Sequence, residues 1–157
     1  VMARFLRKIL GEKYATDLSS VSDAEMIDTI EYHLFPNMVL FPGATLAMVY
    51  RFRPLTAVRR RSAVEILFLR PLPKNGLPPD PPEMVLVGEE ESYAVVEGLD
   101  PLLAKVYDQD TNNLRAQQQG FRASKKPGQT LGNYQEILIR HFEGTLDRYL
   151  ARAAAAK

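Results

Sequence analysis

Apolar residues recur at two different periods along this chain, and the switch between them marks its elements. In residues 2–13, Met2, Phe5, Leu6, Ile9 and Leu10 repeat at helical spacing, with Arg4, Arg7 and Lys8 elsewhere on the wheel. This predicts a short amphipathic helix ended by Gly11. A polar stretch follows, in which Ser22 and Glu25 have the spacing of a capping box or a simple loop. The period then shortens. Residues 28–35 (DTIEYHLF) are rich in β-branched and aromatic side chains, Pro36-Asn37 interrupts them, and Met38–Phe41 ends at the turn signal Pro42-Gly43. Residues 44–53 predict a strand with Leu46, Met48, Tyr50 and Phe52 on one face. Residues 62–70 predict its hairpin partner, in which Val64, Ile66 and Phe68 alternate.

The connection between those strands carries Arg59-Arg60-Arg61, which reads as a solvated hairpin tip. Residues 71–82 (PLPKNGLPPDPP) hold six of the eleven prolines. No helix or internal strand survives that density, so an extended surface loop is expected. A short apolar run, Met84–Val87, and an acidic run, Glu89-Glu90-Glu91, precede the helical end of the chain. Asp100-Pro101 supplies an N-cap and a first-turn proline for a helix from Leu102 to about Phe121, with Gly120 near its end and Pro127-Gly128 as the break. A last helix is expected over 131–155, with a stripe of Tyr134, Ile137/Leu138, His141/Phe142, Leu146 and Tyr149/Leu150. Helix, antiparallel strands, long loop and two helices make an α+β arrangement, in which helices cover one face of a curved sheet.

Composition narrows the function. The chain has 157 residues, one domain's worth, and is 46% apolar and 25% charged, as a soluble globular protein is. Its 20 Lys+Arg against 19 Asp+Glu leave a net charge of +1, so no nucleic-acid or membrane-surface partner is expected. No run reaches the roughly 18–20 apolar residues of a membrane span, and no cleavable leader is recognised. A cytoplasmic location is expected. With no cysteine, the chain holds no disulfide, thiol nucleophile or thiolate-bound iron–sulfur cluster. The start at Val1-Met2 suggests a piece of a longer protein.

One residue breaks the core pattern. On the helix after Asp100, Leu103, Val106, Asp110 and Leu114 share a face, which sets a carboxylate in an apolar stripe. Burying it unpaired costs several kcal/mol or forces it neutral. It therefore meets a cation, hydrogen-bond donors, a metal ion or water. Asn113 and Gln117 extend a polar line on that face. The alternative is a helix rotated so that Asp110 lies at the rim, in water or beside an arginine. His33 and His141, the two histidines, fall on apolar faces and read as hydrogen-bonded core residues. With Asp110 they would also make the two-histidine, one-carboxylate set used for non-haem Fe(II), although no spacing brings the three together. No Gly-rich phosphate loop, HExxH, CxxC or GxSxG occurs.

Residues 106–124 (VYDQDTNNLRAQQQGFRAS), Pro127-Gly128 and the stretch LGNYQEILIRHFEGTLDRYL resemble the end of the large α subunits of Rieske-type aromatic-ring-hydroxylating oxygenases. The segment EYHLFPNMVLFPG and the Arg53-Pro54 strand end resemble the same family's FPN region, so the likeness spans essentially the whole chain in order. The resemblance implies a catalytic domain of helix-grip (START/Bet v1-like, SRPBCC) type and O₂-dependent hydroxylation of an aromatic or related ring, as in aromatic hydrocarbon catabolism. It implies mononuclear Fe(II) on two histidines and an aspartate, and electrons from a reductase, often through a ferredoxin. The family aspartate maps onto Asp110, with Asn113 and Gln117 as hydrogen-bonding neighbours. Phe35, Asn37, Phe41 and Val106 would line a pocket for an aromatic or apolar small molecule.

The departures shape what is expected of this chain. The family's paired histidines and its [2Fe–2S] ligands are absent, and His141 matches a family position that is not a ligand. The expectation is a single, partial catalytic-type domain over 1–157, not active alone, holding iron weakly or not at all, with an exposed face covered by oligomerisation or a further polypeptide. The competing expectations are a non-catalytic helix-grip module that binds an apolar small molecule, and an assembly fragment that pairs with another copy of itself.

Overall fold

In the computed structural model, which describes residues 1–55 and 61–156, the chain folds as α+β. It divides into two compact units, Val1–Pro79 with Leu138–Lys157, and Asp80–Ile137.

The first unit opens with α1, Met2–Tyr14. Its apolar side buries Ala3 against Leu18 and Met26, with Leu6, Leu10, Val21 and Ala44 packed around them. Gly11 does not end this helix. The helix runs on to Tyr14 and closes at Ala15, which adopts a left-handed conformation with φ 49°. Gly11 instead lets the chain fold back: a Cβ there would lie 3.1 Å from the Thr16 carbonyl oxygen, and the Thr16 N–H donates to the Gly11 carbonyl. The Arg7 guanidinium donates to the Val21 carbonyl at 3.0 and 2.7 Å and pairs with Asp23, tying α1 to the next element. That element, α2, is Asp23–Ile27. Ser22 caps it through a full capping box with Glu25, so the capping alternative holds over the loop.

Four antiparallel strands follow in the order β1-β2-β3-β4: Tyr32–Leu34, Met38–Phe41, Met48–Pro54 and Ser62–Phe68. The first and third strands are shorter than their apolar runs suggested. Residues 28–31 instead link α2 to the sheet, and 44–47 complete the turn after β2. There Ala44 N–H donates to the Glu25 carbonyl, and a Cβ on Gly43 would come within 3.3 Å of the Asp28 carbonyl. The predicted alternation is present. Met48, Tyr50 and Phe52 pair in register with Phe68, Ile66 and Val64. The opposite face carries Arg51 and Arg53 around Glu65, whose carboxylate both guanidinium groups hold. Of the arginine triplet in the connection, Arg59 and Arg60 lie outside the described residues. Arg61 is exposed, and its carbonyl accepts from Leu55 N–H at the end of the hairpin beside the connection.

The α4 helix, Ile137–Ala155, belongs to this unit almost entirely and packs on the β1–β2 turn. Phe142 meets the ring of His33 edge-on at 5.0 Å and Phe35 at 6.0 Å, and Tyr149 meets Phe35 at 4.7 Å. The helix starts six residues later than its apolar stripe predicted. In 131–136 the Gly132 N–H donates to the Glu136 carboxylate, a local bond that competes with helical pairing, and Tyr134 stands in solvent.

In the second unit, residues 80–92 contain no helix or strand, and the Met84–Val87 run forms no strand. A 3-10 turn, Tyr93–Val95, then leads to α3, Pro101–Ala123. Asp100 caps α3 as the sequence predicts, accepting from Leu102 and Leu103 N–H at 2.8 and 3.2 Å. The proline-rich 71–82 segment contains neither helix nor strand, in keeping with its composition.

Candidate functional site

The helix that carries Asp110 is held by a different face from the one its apolar spacing suggested. Ala104 and Tyr107 are buried, and Asp108 and Thr111 are half-buried beside them. At 100° per residue these four share one side of α3, while Asp110 lies about a third of a turn away, in solvent with Leu114 and Val106. Among the described residues, the stripe of Leu103, Val106, Asp110 and Leu114 is therefore not the packed face, and Asp110 matches the rotated-helix alternative. The reason is local. Tyr107 offers a ring that stacks on Tyr93 at 5.4 Å, and Asp108 offers a carboxylate with two donors, whereas Val106 and Asp110 offer the 3-10 turn nothing comparable.

The contact around Asp108 was missed in the sequence. Its carboxylate accepts from the Ser92 hydroxyl at 2.6 Å and from the Tyr93 N–H at 2.9 Å. These bonds, the side-chain one first, hold its carboxyl below the usual carboxylate range. Burial pushes the Tyr93 phenol up, against a hydrogen bond with Thr111 that acts in the opposite direction. One turn further along, Arg115 pairs with Glu90 and lies 3.9 Å from Glu89. The only signal in the sequence was an acidic run upstream of a helix bearing an arginine, a pattern too common to single out.

The other predicted site residues fall as follows. Asn113 and Gln117 are exposed on α3, along the helix from Asp110. Val106 is exposed on the same helix. In the first unit, Phe35 faces Phe142 and Tyr149. Phe41 is buried edge-on to Tyr50 at 4.9 Å. Asn37 donates through Nδ2 to the Phe52 carbonyl at 2.8 Å and accepts at its own carbonyl from Phe52 N–H, which fastens the β1–β2 turn to β3. Phe35 and Phe41 thus have separate sets of ring partners. A shallow depression beside Phe41, bordered by Asp28, Ile30 and Leu46, encloses no room for a ligand. Neither histidine is a core residue: His33 is exposed on β1, with one edge of its ring against Phe142, and His141 is exposed on α4, because the faces that carry them are only partly covered. Among the described residues, no three His, Asp, Glu or Cys side chains gather as a metal-holding group. No helix among the described residues is long and apolar enough to cross a membrane.

Set beside known proteins, the chain has no match among curated proteins or solved structures. The profile of one family, described as "Ring hydroxylating alpha subunit (catalytic domain)", matches residues 8–152. That range takes in the second half of α1, the four-stranded sheet, α3 and most of α4. The chain belongs to the family of catalytic domains of ring-hydroxylating α subunits, with an α+β fold of the helix-grip type.

Proposed function

We propose that this chain forms part of the catalytic domain of a ring-hydroxylating oxygenase that inserts oxygen from O₂ into an aromatic or related ring. The observation that carries the proposal is the family match over residues 8–152. Oxygenases of this family work with non-haem iron. The residues here do not by themselves fit an iron site, since no group of three ligating side chains forms among the described residues. Asp110 is the residue we assign to the metal, because it matches the family's aspartate. Its exposure on α3 leaves the carboxylate open to ligands from other parts of an enzyme. Asn113 and Gln117 continue the same polar line and would hydrogen-bond around it. Phe35, Asn37, Phe41 and Val106 remain our candidates for the substrate wall.

On this reading the histidine ligands come from outside this chain's His33 and His141. The chain alone neither holds iron stoichiometrically nor turns over, and electrons reach the full enzyme from a reductase or ferredoxin. The numerous exposed apolar side chains, among them Leu114, Phe121, Leu138 and Leu150, favour an assembly with further polypeptide or further copies. A cytoplasmic location suits a reductase-dependent enzyme. Anaerobic titration with Fe(II) tests the assignment. The expected result is no stoichiometric iron in the chain alone. Stoichiometric iron that is lost on Asp110→Ala overturns the claim that ligands must come from outside it.

A further inference from the structure

We propose that Asn75 is a site of spontaneous covalent modification, at which the chain converts an asparagine to aspartate and isoaspartate without any enzyme. Asn75-Gly76 is the sole Asn-Gly pair among the five asparagines of the sequence. Both residues are exposed in the bend of the proline-rich segment. Gly76 has φ +93°, and a Cβ built there would meet nothing within 4 Å. Among the described residues, no hydrogen bond engages the Asn75 amide or the Gly76 N–H. The attacking nitrogen is therefore unshielded by a side chain, and its backbone has the freedom that only glycine gives.

The chemistry balances with water as the sole co-reactant. The Gly76 backbone nitrogen attacks the Asn75 Cγ and forms a C–N bond. The Cγ–Nδ2 bond breaks, and the nitrogen's proton leaves with the departing ammonia. Water then opens the cyclic imide at one of its two carbonyls. One opening leaves aspartate, and the other leaves isoaspartate, in which the main chain runs through the side-chain carbon. Nothing is oxidised or reduced.

The remaining asparagines are protected by features of the fold. Asn37 has its amide bound to the Phe52 carbonyl. Asn112 and Asn113 lie within α3, where helical dihedrals keep the next nitrogen away from Cγ. Asn133 is engaged in its own contact and is followed by the bulky Tyr134.

The product has a defined effect. One new carboxylate takes the net charge from +1 to 0, because 20 cationic side chains then face 20 carboxylates instead of 19. The new charge appears next to Lys74, whose N–H donates to the Ala15 carbonyl and whose ammonium attracts Asp17. Modification therefore acts where the proline-rich segment is tied to the end of α1.

The test is to hold the folded chain in warm, mildly alkaline buffer and map peptides digested at acidic pH, so that handling adds no conversion. Mass gain is followed at each asparagine, and isoaspartate is read by methyl transfer from an isoaspartyl methyltransferase. The expected result is conversion at Asn75 at least about tenfold faster than at Asn112 or Asn113. Methyl acceptance disappears in Asn75→Gln, and conversion slows by about the same factor in Gly76→Ala. An unchanged mass at Asn75, equal rates at the helical asparagines, or undiminished methyl acceptance in Asn75→Gln overturns the proposal.

Discussion

Asp108 and Ser92, sixteen positions apart in sequence, are joined by a 2.6 Å hydrogen bond from hydroxyl to carboxylate. The adjacent Tyr93 N–H adds a second bond to the same carboxylate, so one side chain fastens the 3-10 turn to the second turn of α3. Replacing Asp108 by Ala removes both acceptors and leaves the Tyr107–Tyr93 ring contact and the Tyr93–Thr111 hydrogen bond to hold the turn. The Tyr93 amide should then exchange with solvent about tenfold faster, the effect of losing a net hydrogen bond. Ser92→Ala leaves the Tyr93 N–H bound to Asp108 and removes the acceptor of the Ala94 N–H, so the increase at Tyr93 should be smaller while the Ala94 amide is exposed. Hydrogen-exchange mass spectrometry on residues 90–96 checks both. Equal protection in Asp108→Ala and the parent would show that the remaining contacts suffice.

Parts of this fold could be read from the residues, and the reasons differ from place to place. Asp100-Pro101 and Ser22/Glu25 were legible because a cap is satisfied within three residues of itself. The β3–β4 hairpin was legible because alternation over seven residues has a single register that keeps one face apolar. Gly11 was misplaced as a terminus because its role depends on Thr16, which returns to contact it. The packed face of α3 is not legible in the sequence, because Val106 and Tyr107, about 100° apart on the helix, are both apolar enough to face a partner, and only the partner segment decides between them. That choice moved Asp110 from an apolar stripe into solvent. The family assignment of Asp110 rested on its neighbours in sequence, and spacing alone did not supply it.

Met26 is the side chain most deeply enclosed in the first unit, fully buried against Ala3 and Leu18. Truncation leaves a void that α1 and α2 can close only in part, since Arg7 ties them at Val21 and Asp23. Met26→Ala should destabilise this unit by about 2–5 kcal/mol. Denaturant unfolding followed by circular dichroism measures it. Met26→Leu, which keeps the volume, should cost less than about 1.5 kcal/mol.

Acid should loosen the β3–β4 hairpin before the rest of the sheet. A side-chain hydrogen bond from Arg53 is the largest effect on the Glu65 carboxyl; burial opposes it, and a hydrogen bond from Arg51 and the charges of both guanidinium groups add to the lowering, so the carboxyl stays below its ordinary value of 4.5. A carboxyl lowered in the folded state contributes stability that is fully present above its unfolded value and is lost as pH falls through its folded value. The loss therefore falls below pH 4.5, and none is expected between neutral pH and that point. Nuclear magnetic resonance titration of the Arg51 and Arg53 side-chain signals locates it. Glu65→Gln should remove the acid step, leaving the hairpin at neutral pH as loose as the parent is in acid.

The attachment of α4 to the sheet depends on rings that are only partly covered. Phe142 touches His33 and Phe35, and Phe35 also reaches Tyr149 about two turns along the same helix. These ring contacts join α4 to β1 and the β1–β2 turn. A double-mutant cycle between Phe35→Ala and Phe142→Ala should return a coupling of about 0.5–1.5 kcal/mol, the worth of an aromatic pair beyond its area. Each single change should also speed exchange in the amides of 137–150, because helix and turn lose their shared anchor. Strict additivity of the two changes, with exchange on α4 unmoved, would mean that the helix is held by its aliphatic contacts and that the rings are incidental to its docking.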